Sequence, residues 1–144
     1  LIRLHPNVAK HSAGLFAYDG TTILNATAYP DMQELLCTVD MLITDYSSCM
    51  FDFALSGKPC LQFATDIESY RQDRNFYFPL DRLPFPLASS NQALCEAVRF
   101  LDLQEYAKKW ADFARENQFC EDGHASARCA DWILARLGRK EKTS

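Results

Sequence analysis

The stretch VDMLITDYSSCMFDFALSGKPCLQ, residues Val39–Gln62, decides the fold. Met41-Leu42-Ile43 is a short apolar run of the kind buried in a parallel sheet. Thr44-Asp45-Tyr46 turns the chain out of the sheet. Ser47 and Ser48 follow where a helix would begin, and both are good N-caps. Gly57-Lys58-Pro59 stops that helix, and Cys60-Leu61-Gln62-Phe63 resumes the sheet. A helix that starts at the carboxyl end of a parallel strand points unpaired backbone N–H groups and the positive end of its dipole at one place. Phosphate binds there in α/β proteins. The turn is not Gly-rich, so neither a P-loop nor a dinucleotide fingerprint fits. Hydroxyls stand in place of the glycines.

Outward from this stretch, strands are expected near Leu1–Leu4, Thr21–Thr27, Met41–Thr44, Cys60–Ala64 and Leu87–Ala88. Helices are expected over Asp31–Val39 and Ser48–Leu55. Alternation of this kind indicates βαβ units and a parallel sheet. From Ser89 the pattern is helical alone: Gln92–Leu101, Leu103–Asn117, and Ala125–Leu137 with Ala127, Ala130, Ile133, Leu134 and Leu137 as its apolar stripe. Gly138 is expected to end the last helix. The reading is one α/β domain: residues 1–88 form the sheet part, 89–138 the C-terminal helices and 139–144 a frayed tail. Asp66–Pro86 is a long irregular stretch rich in aromatics, Arg and Pro. It leaves the sheet beside the proposed site, and loops of this length are usually functional.

The 144 residues are enough for one domain with a sizeable core, and 48% hydrophobic with 24% charged residues is ordinary for a globular protein. A net charge of −4 argues against a general nucleic-acid binder. No apolar run approaches a membrane span, and no signal-peptide pattern opens the chain. Its abrupt start, Leu1-Ile2-Arg3-Leu4-His5-Pro6, reads as a strand interior followed by a stop, so the chain is expected to be a piece of a larger protein. None of the six cysteines forms a CxxC pair, which suits a reduced, cytoplasmic protein. Cys120, His124 and Cys129 would make at most a partial metal set, with no standard zinc spacing and no fourth ligand.

Several segments, in order, resemble the CDP-glycerol glycerophosphotransferase family of teichoic acid and capsule synthesis. They are Arg3-Leu4-His5-Pro6, YPDMQELL (Tyr29–Leu36), LITDYSSCMFDF (Leu42–Phe53), Gly57-Lys58-Pro59, Asp66, Tyr70, RNFY (Arg74–Tyr77) and DGHASAR (Asp122–Arg128). The resemblance implies a GT-B architecture of two Rossmann-like halves, of which this chain matches the C-terminal, donor-binding one. The half it lacks would carry another family histidine, proposed as base, and the membrane contact. Two positions depart from the pattern. Asn75 replaces the Gly of R-G-F-Y, and Phe85 replaces the Gly of P-G-P, which would set a ring where backbone approaches the ligand.

The implied reaction moves glycerol phosphate, or a related polyol phosphate, from a CDP-linked donor to an acceptor hydroxyl. The acceptor would be a lipid-linked glycan or growing polymer. The enzyme would sit at the inner face of the cell membrane, with no cofactor, no metal and no nucleic acid, and with homo-oligomers open to it. Ser47 and Ser48 either cap the helix or donate to the diphosphate; the resemblance implies the second. Asp52 lies at i+4 from Ser48 among apolar neighbours, where a carboxylate is costly unless it is paired or at a site. The family layout implies that it accepts from ribose hydroxyls. Asp45 is expected to cap the turn. His5, at a strand end, would stabilise charge or donate a proton at the transferring phosphate, with Arg3 on the same strand face as phosphate partner or structural ion pair. Of Arg71 and Arg74 in the long loop, one, Arg74 in preference, would close over phosphate. Arg128, helped by Ser126, would reach the diphosphate or remain a surface Arg. The rival readings are a nucleotide-sugar glycosyltransferase or epimerase with the same donor half, and an isolated nucleotide-binding fragment without activity.

Overall fold

The computed structural model describes residues 1–12, 14–67 and 78–140. The chain divides into two units, Leu1–Val39 and Asp40–Ser144.

In the first unit, the expected strands at Leu1–Leu4 and Thr21–Thr27 reduce to one parallel bridge, Ile2 to Asn25. Local side chains take the N–H groups that a ladder would need. Asp19 Oδ1 accepts from the backbone of Thr21, Thr22 and Ile23 at 2.9, 2.7 and 2.7 Å. Asn25 Oδ1 accepts from Thr27 N at 2.9 Å, and Thr27 Oγ1 accepts from Leu4 N at 3.2 Å. Short polar side chains compete with secondary structure in this way. Helix α1 (Pro6–Ala9) begins directly after His5, with Pro6 in the first turn, where its missing N–H costs nothing. Helix α2 (Met32–Thr38) is capped by Asp31, which accepts from Glu34 N at 2.9 Å. Its start, one residue inside the expected Asp31–Val39, follows from that cap.

In the second unit, strands β1 (Leu42–Thr44), β2 (Cys60–Phe63) and β3 (Leu87–Ala88) form a parallel sheet in the order β1-β2-β3. Leu42 pairs with Cys60 and Thr44 with Gln62, and Gln62 in turn pairs with Leu87. The central strand is buried, as a two-sided parallel strand must be. Helix α3 (Cys49–Ala54) crosses from β1 to β2 and buries Met50, Phe53 and Ala54, the i, i+3, i+4 face. Gly57, at φ 74°, lets the chain turn off the helix, and its N–H bonds Ala54 O at 3.0 Å.

Helices α4 (Asn91–Arg99), α5 (Leu103–Glu116) and α6 (Ala125–Lys140) complete the unit. Ser90 caps α4 and Asp102 caps α5 through side-chain acceptors. Phe51 of α3 meets Phe85, Phe113 and Phe119 at centroid distances of 5.8, 6.2 and 5.9 Å. Trp110 stacks on Phe113 at 6.2 Å and meets Phe119 edge-on at 5.5 Å. Offset and edge-to-face aromatic pairs add to the stabilisation from burial alone. Phe85 is thus a core residue, 3% exposed, rather than a ring facing a ligand. Helix α6 departs from expectation twice. It runs through Gly138 to Lys140, because one glycine costs a helix only about 1 kcal/mol. Its stripe of Ile133, Leu134 and Leu137 is exposed. Residues 141–144 of the expected tail lie outside the described residues.

Candidate functional site

The site is built from the carboxyl end of β1. After Thr44 the chain turns through residues 45–48 into α3. Ser47 Oγ accepts from Cys49 N at 3.4 Å, so Ser47 performs the capping. Ser48 holds the cap position with helical backbone, φ −62° and ψ −14°, and its hydroxyl makes no cap bond. The expectation of two capping serines is therefore corrected: α3 starts at Cys49, and helical backbone at Ser48 turns that side chain away from the N2 and N3 amides. Both serines are exposed. Asp52 stands in the first turn of α3, exposed, between the buried Met50 and Phe53. Ser47, Ser48 and Asp52 thus share one short segment at the carboxyl edge of the sheet. Asp45 is exposed at the start of the same turn.

Two features of this edge escaped sequence reasoning. Tyr46 Oη donates to Asp66 Oδ1 at 2.8 Å, which joins the exits of β1 and β2. The only signal was the presence of both residues in the motif set. Gln62, within β2, is 1% exposed; its amide nitrogen lies 3.4 Å from Met50 Sδ, and its Oε1 has no partner among the described residues. A glutamine inside an apolar strand offered no warning of this.

His5 and Arg3 belong to the first unit. His5 is not at a strand end; it is the N-cap of α1, with Nδ1 accepting from Asn7 N at 3.2 Å. Pro6, whose φ suits a helix start, makes that position a cap. An Nδ1 that accepts leaves Nε2 as the ring's outward donor. The side chain of Arg3 bonds Tyr29 O at 3.3 Å and the sulfur of Met32. It therefore ties the start of the chain to the entry of α2 through neutral acceptors, and no ion pair of Arg3 is seen among the described residues.

Arg128 forms an ion pair with Asp122 at 2.5 Å and donates to Cys120 O at 2.9 Å. The Arg128 hydrogen bond, with a second from His124 N–H, holds the Asp122 carboxyl below its usual range, and the same pairing raises the guanidinium. Arg128 thus frames the entry to α6, on whose first turn Ser126 is exposed. Arg74 lies outside the described residues, as do Tyr70, Arg71 and Asn75. Among the described residues, no cluster of His, Cys, Asp and Glu is placed to hold a metal ion, and no helix is long and apolar enough to cross a membrane.

A parallel sheet with a helix entered through a polar turn at its carboxyl edge defines a Rossmann-like α/β domain. Residues 1–135 match the family described as CDP-Glycerol:Poly(glycerophosphate) glycerophosphotransferase, and the chain belongs to that family. It is 36% identical over 142 residues to the teichoic acid poly(glycerol phosphate) polymerase of Bacillus subtilis (strain 168), a match covering 93% of this chain and 18% of the relative. It is 33% identical over 116 residues to the teichoic acid glycerol-phosphate transferase of Staphylococcus aureus (strain NCTC 8325 / PS 47), covering 78% of this chain and 30% of that one. Among solved structures, it resembles a histidine-to-asparagine variant of the wall teichoic acid polymerase TagF soaked with CDPG. The TM-score is 0.65 at 29% identity, over 88% of this chain and 32% of that chain. The chain therefore spans about a third or less of these relatives' length.

Proposed function

We propose that this chain is the donor-binding part of a transferase that moves glycerol phosphate, or a related polyol phosphate, from a CDP-linked donor to an acceptor hydroxyl in teichoic acid or capsule synthesis. The observation that carries this reading is the family match over residues 1–135, with the D-Y-S-S turn at the carboxyl end of a parallel strand. In the reaction, the acceptor oxygen attacks the β-phosphorus of the donor. The bond from that phosphorus to the bridging oxygen breaks, CMP leaves with the electron pair, and a phosphodiester forms while the acceptor gives up its proton. Phosphoryl transfer of this kind needs positioning and charge neutralisation more than covalent help from the protein.

The Ser47 and Ser48 hydroxyls and the amides at the start of α3 donate to the diphosphate. Asp52, exposed one helical turn on, accepts from the ribose hydroxyls. His5 offers Nε2 to the transferring phosphate, for charge stabilisation or proton donation. Arg3, Arg74, Ser126 and Arg128 supply further donors. For Arg3 and Arg128 this means exchanging their present partners for phosphate. The acceptor is a lipid-linked glycan or polymer at the inner membrane face, where the enzyme is peripheral. Calorimetric titration with CDP-glycerol, CDP, UDP and GDP tests the reading. Preference for the cytidine ligands, lost in Asp52→Ala, is the expected result. Preference for UDP or GDP would instead support the nucleotide-sugar transferase reading.

A further inference from the structure

Backbone bonds from Met50 N to Ser47 O at 3.3 Å and from Phe51 N to Ser48 O at 3.0 Å anchor the helix side of the turn that carries Ser47 and Ser48, but its side chains add little. The turn contains no proline to restrict it, its capping bond from Cys49 N to Ser47 Oγ is long at 3.4 Å, and Ser48 makes no cap bond. Tyr46, the residue just before the serines, is the exception. Its hydroxyl donates to the Asp66 carboxylate at 2.8 Å, a charge-assisted bond of good length. β1 and β2 are neighbours in register, Thr44 beside Gln62. Tyr46 lies two residues beyond the first of these and Asp66 four beyond the second, so the bond straps together the two strand exits at the sheet's carboxyl edge. β2, the central strand, is buried and paired on both sides. The geometry points to Tyr46 and Asp66 as a pair of positioning residues that fix the direction of the Ser47 and Ser48 donors. This inference rests on the donor reading above.

The pair touches neither phosphate nor sugar. It acts by limiting how the turn between β1 and α3 can rotate, so that the serine donors are aligned before the ligand arrives. Preorganisation of this kind raises affinity by removing an ordering cost. Tyr46→Phe keeps the ring and removes only the donor, and Asp66→Asn keeps the shape and removes the charge.

The test uses Tyr46→Phe, Asp66→Asn and the double variant, with two readouts: CDP-glycerol affinity by calorimetry, and amide hydrogen exchange at residues 47–50 without ligand. Each single variant is expected to weaken CDP-glycerol about tenfold and to speed exchange at those amides. The double variant should be no worse than either single one, because both remove the same bond. Amides of β2 and α5 should be unchanged. Affinity and turn exchange equal to wild type in Tyr46→Phe would overturn the inference, as would faster exchange spread evenly over the whole unit. Failure of the wild-type chain to bind CDP-glycerol would overturn the donor reading instead, and the exchange data would still decide whether the strap holds the turn.

Discussion

The Tyr106 hydroxyl of α5 accepts the backbone N–H of Cys60 at 3.1 Å and donates to Lys58 O at 3.3 Å. One phenol thus fastens the amino end of the central strand to the helical layer, in a buried place where neither backbone group reaches water easily. Tyr106→Phe leaves the Cys60 N–H without this acceptor. The expected cost is about 1–3 kcal/mol of stability, the penalty for stranding a buried donor. Urea unfolding followed by circular dichroism would measure it, and a loss near zero would mean that another acceptor takes over.

Burial pushes both Tyr106 and the Cys60 thiol up to about 12, from ordinary values of 10.0 and 9.0. Groups held neutral in the fold contribute stability that is complete below the ordinary value. That contribution is lost as pH rises through the gap between the two values. Stability should therefore fall from about pH 9 upward, first through Cys60 and then through Tyr106. The same burial predicts slow thiol chemistry at Cys60. Cys37, Cys95, Cys120 and Cys129 are exposed and should react first with a thiol reagent, Cys49 more slowly and Cys60 only on unfolding.

Ser48→Ala and Asp52→Ala remove exposed side chains, so neither should lower the melting temperature appreciably. Each should weaken CDP-glycerol binding about tenfold, the equivalent of one charge-assisted hydrogen bond. Phe53→Ala, one residue along and 1% exposed, should behave in the opposite way, costing about 3–5 kcal/mol of stability through the cavity it leaves. Parallel calorimetry and thermal unfolding would separate the two classes. A large stability loss in Asp52→Ala would argue against a ligand role.

Three backbone N–H bonds hold the Asp19 carboxylate at about 2, below its ordinary 3.8, with the bond from Ile23 the largest cause. A depressed carboxylate contributes stability that is present above 3.8 and lost as pH falls toward about 2. Asp19→Asn should flatten the acid limb of a stability-against-pH curve in that window. An unchanged limb would place the acid sensitivity elsewhere, with Asp122 the next candidate because Arg128 holds it down in the same sense.

The segment around the D-Y-S-S turn was readable in detail because its signals are local. An apolar run, two serines, an i, i+3, i+4 face and a Gly-Lys-Pro stop fall within one or two residues of β1, α3 and β2. The first thirty residues were misread for a physical reason. Thr21, Thr22 and Ile23 have strand propensity, but Asp19 claims their N–H groups before a neighbouring strand can. His5 was read as a strand end because Pro6 stops strands; it also starts helices, and here it does. At the site, Asp52 lies on the expected helix, while Ser47 alone makes the capping bond and Ser48 falls just before the helix instead of within it. The Tyr46–Asp66 bond spans 20 residues and depends on the register of β1 with β2, which no local pattern encodes. Arg3 and Arg128 were legible as conspicuous residues but not as partners of Tyr29, Met32 and Asp122.

The two tryptophans occupy opposite settings. Trp110 is packed among Phe85, Phe113 and Phe119, while Trp132 stands 57% exposed on α6 with the Arg136 guanidinium 3.5 Å from its ring centre. Their fluorescence therefore divides the labour. Trp110, half-buried against three phenylalanine rings, will shift to the red when the aromatic core opens. Trp132 already emits from water beside a cation, so its colour barely registers unfolding but responds when something covers α6. Replacing each in turn by Phe yields two single-colour reporters, one for the integrity of the domain and one for whatever the bare helix meets.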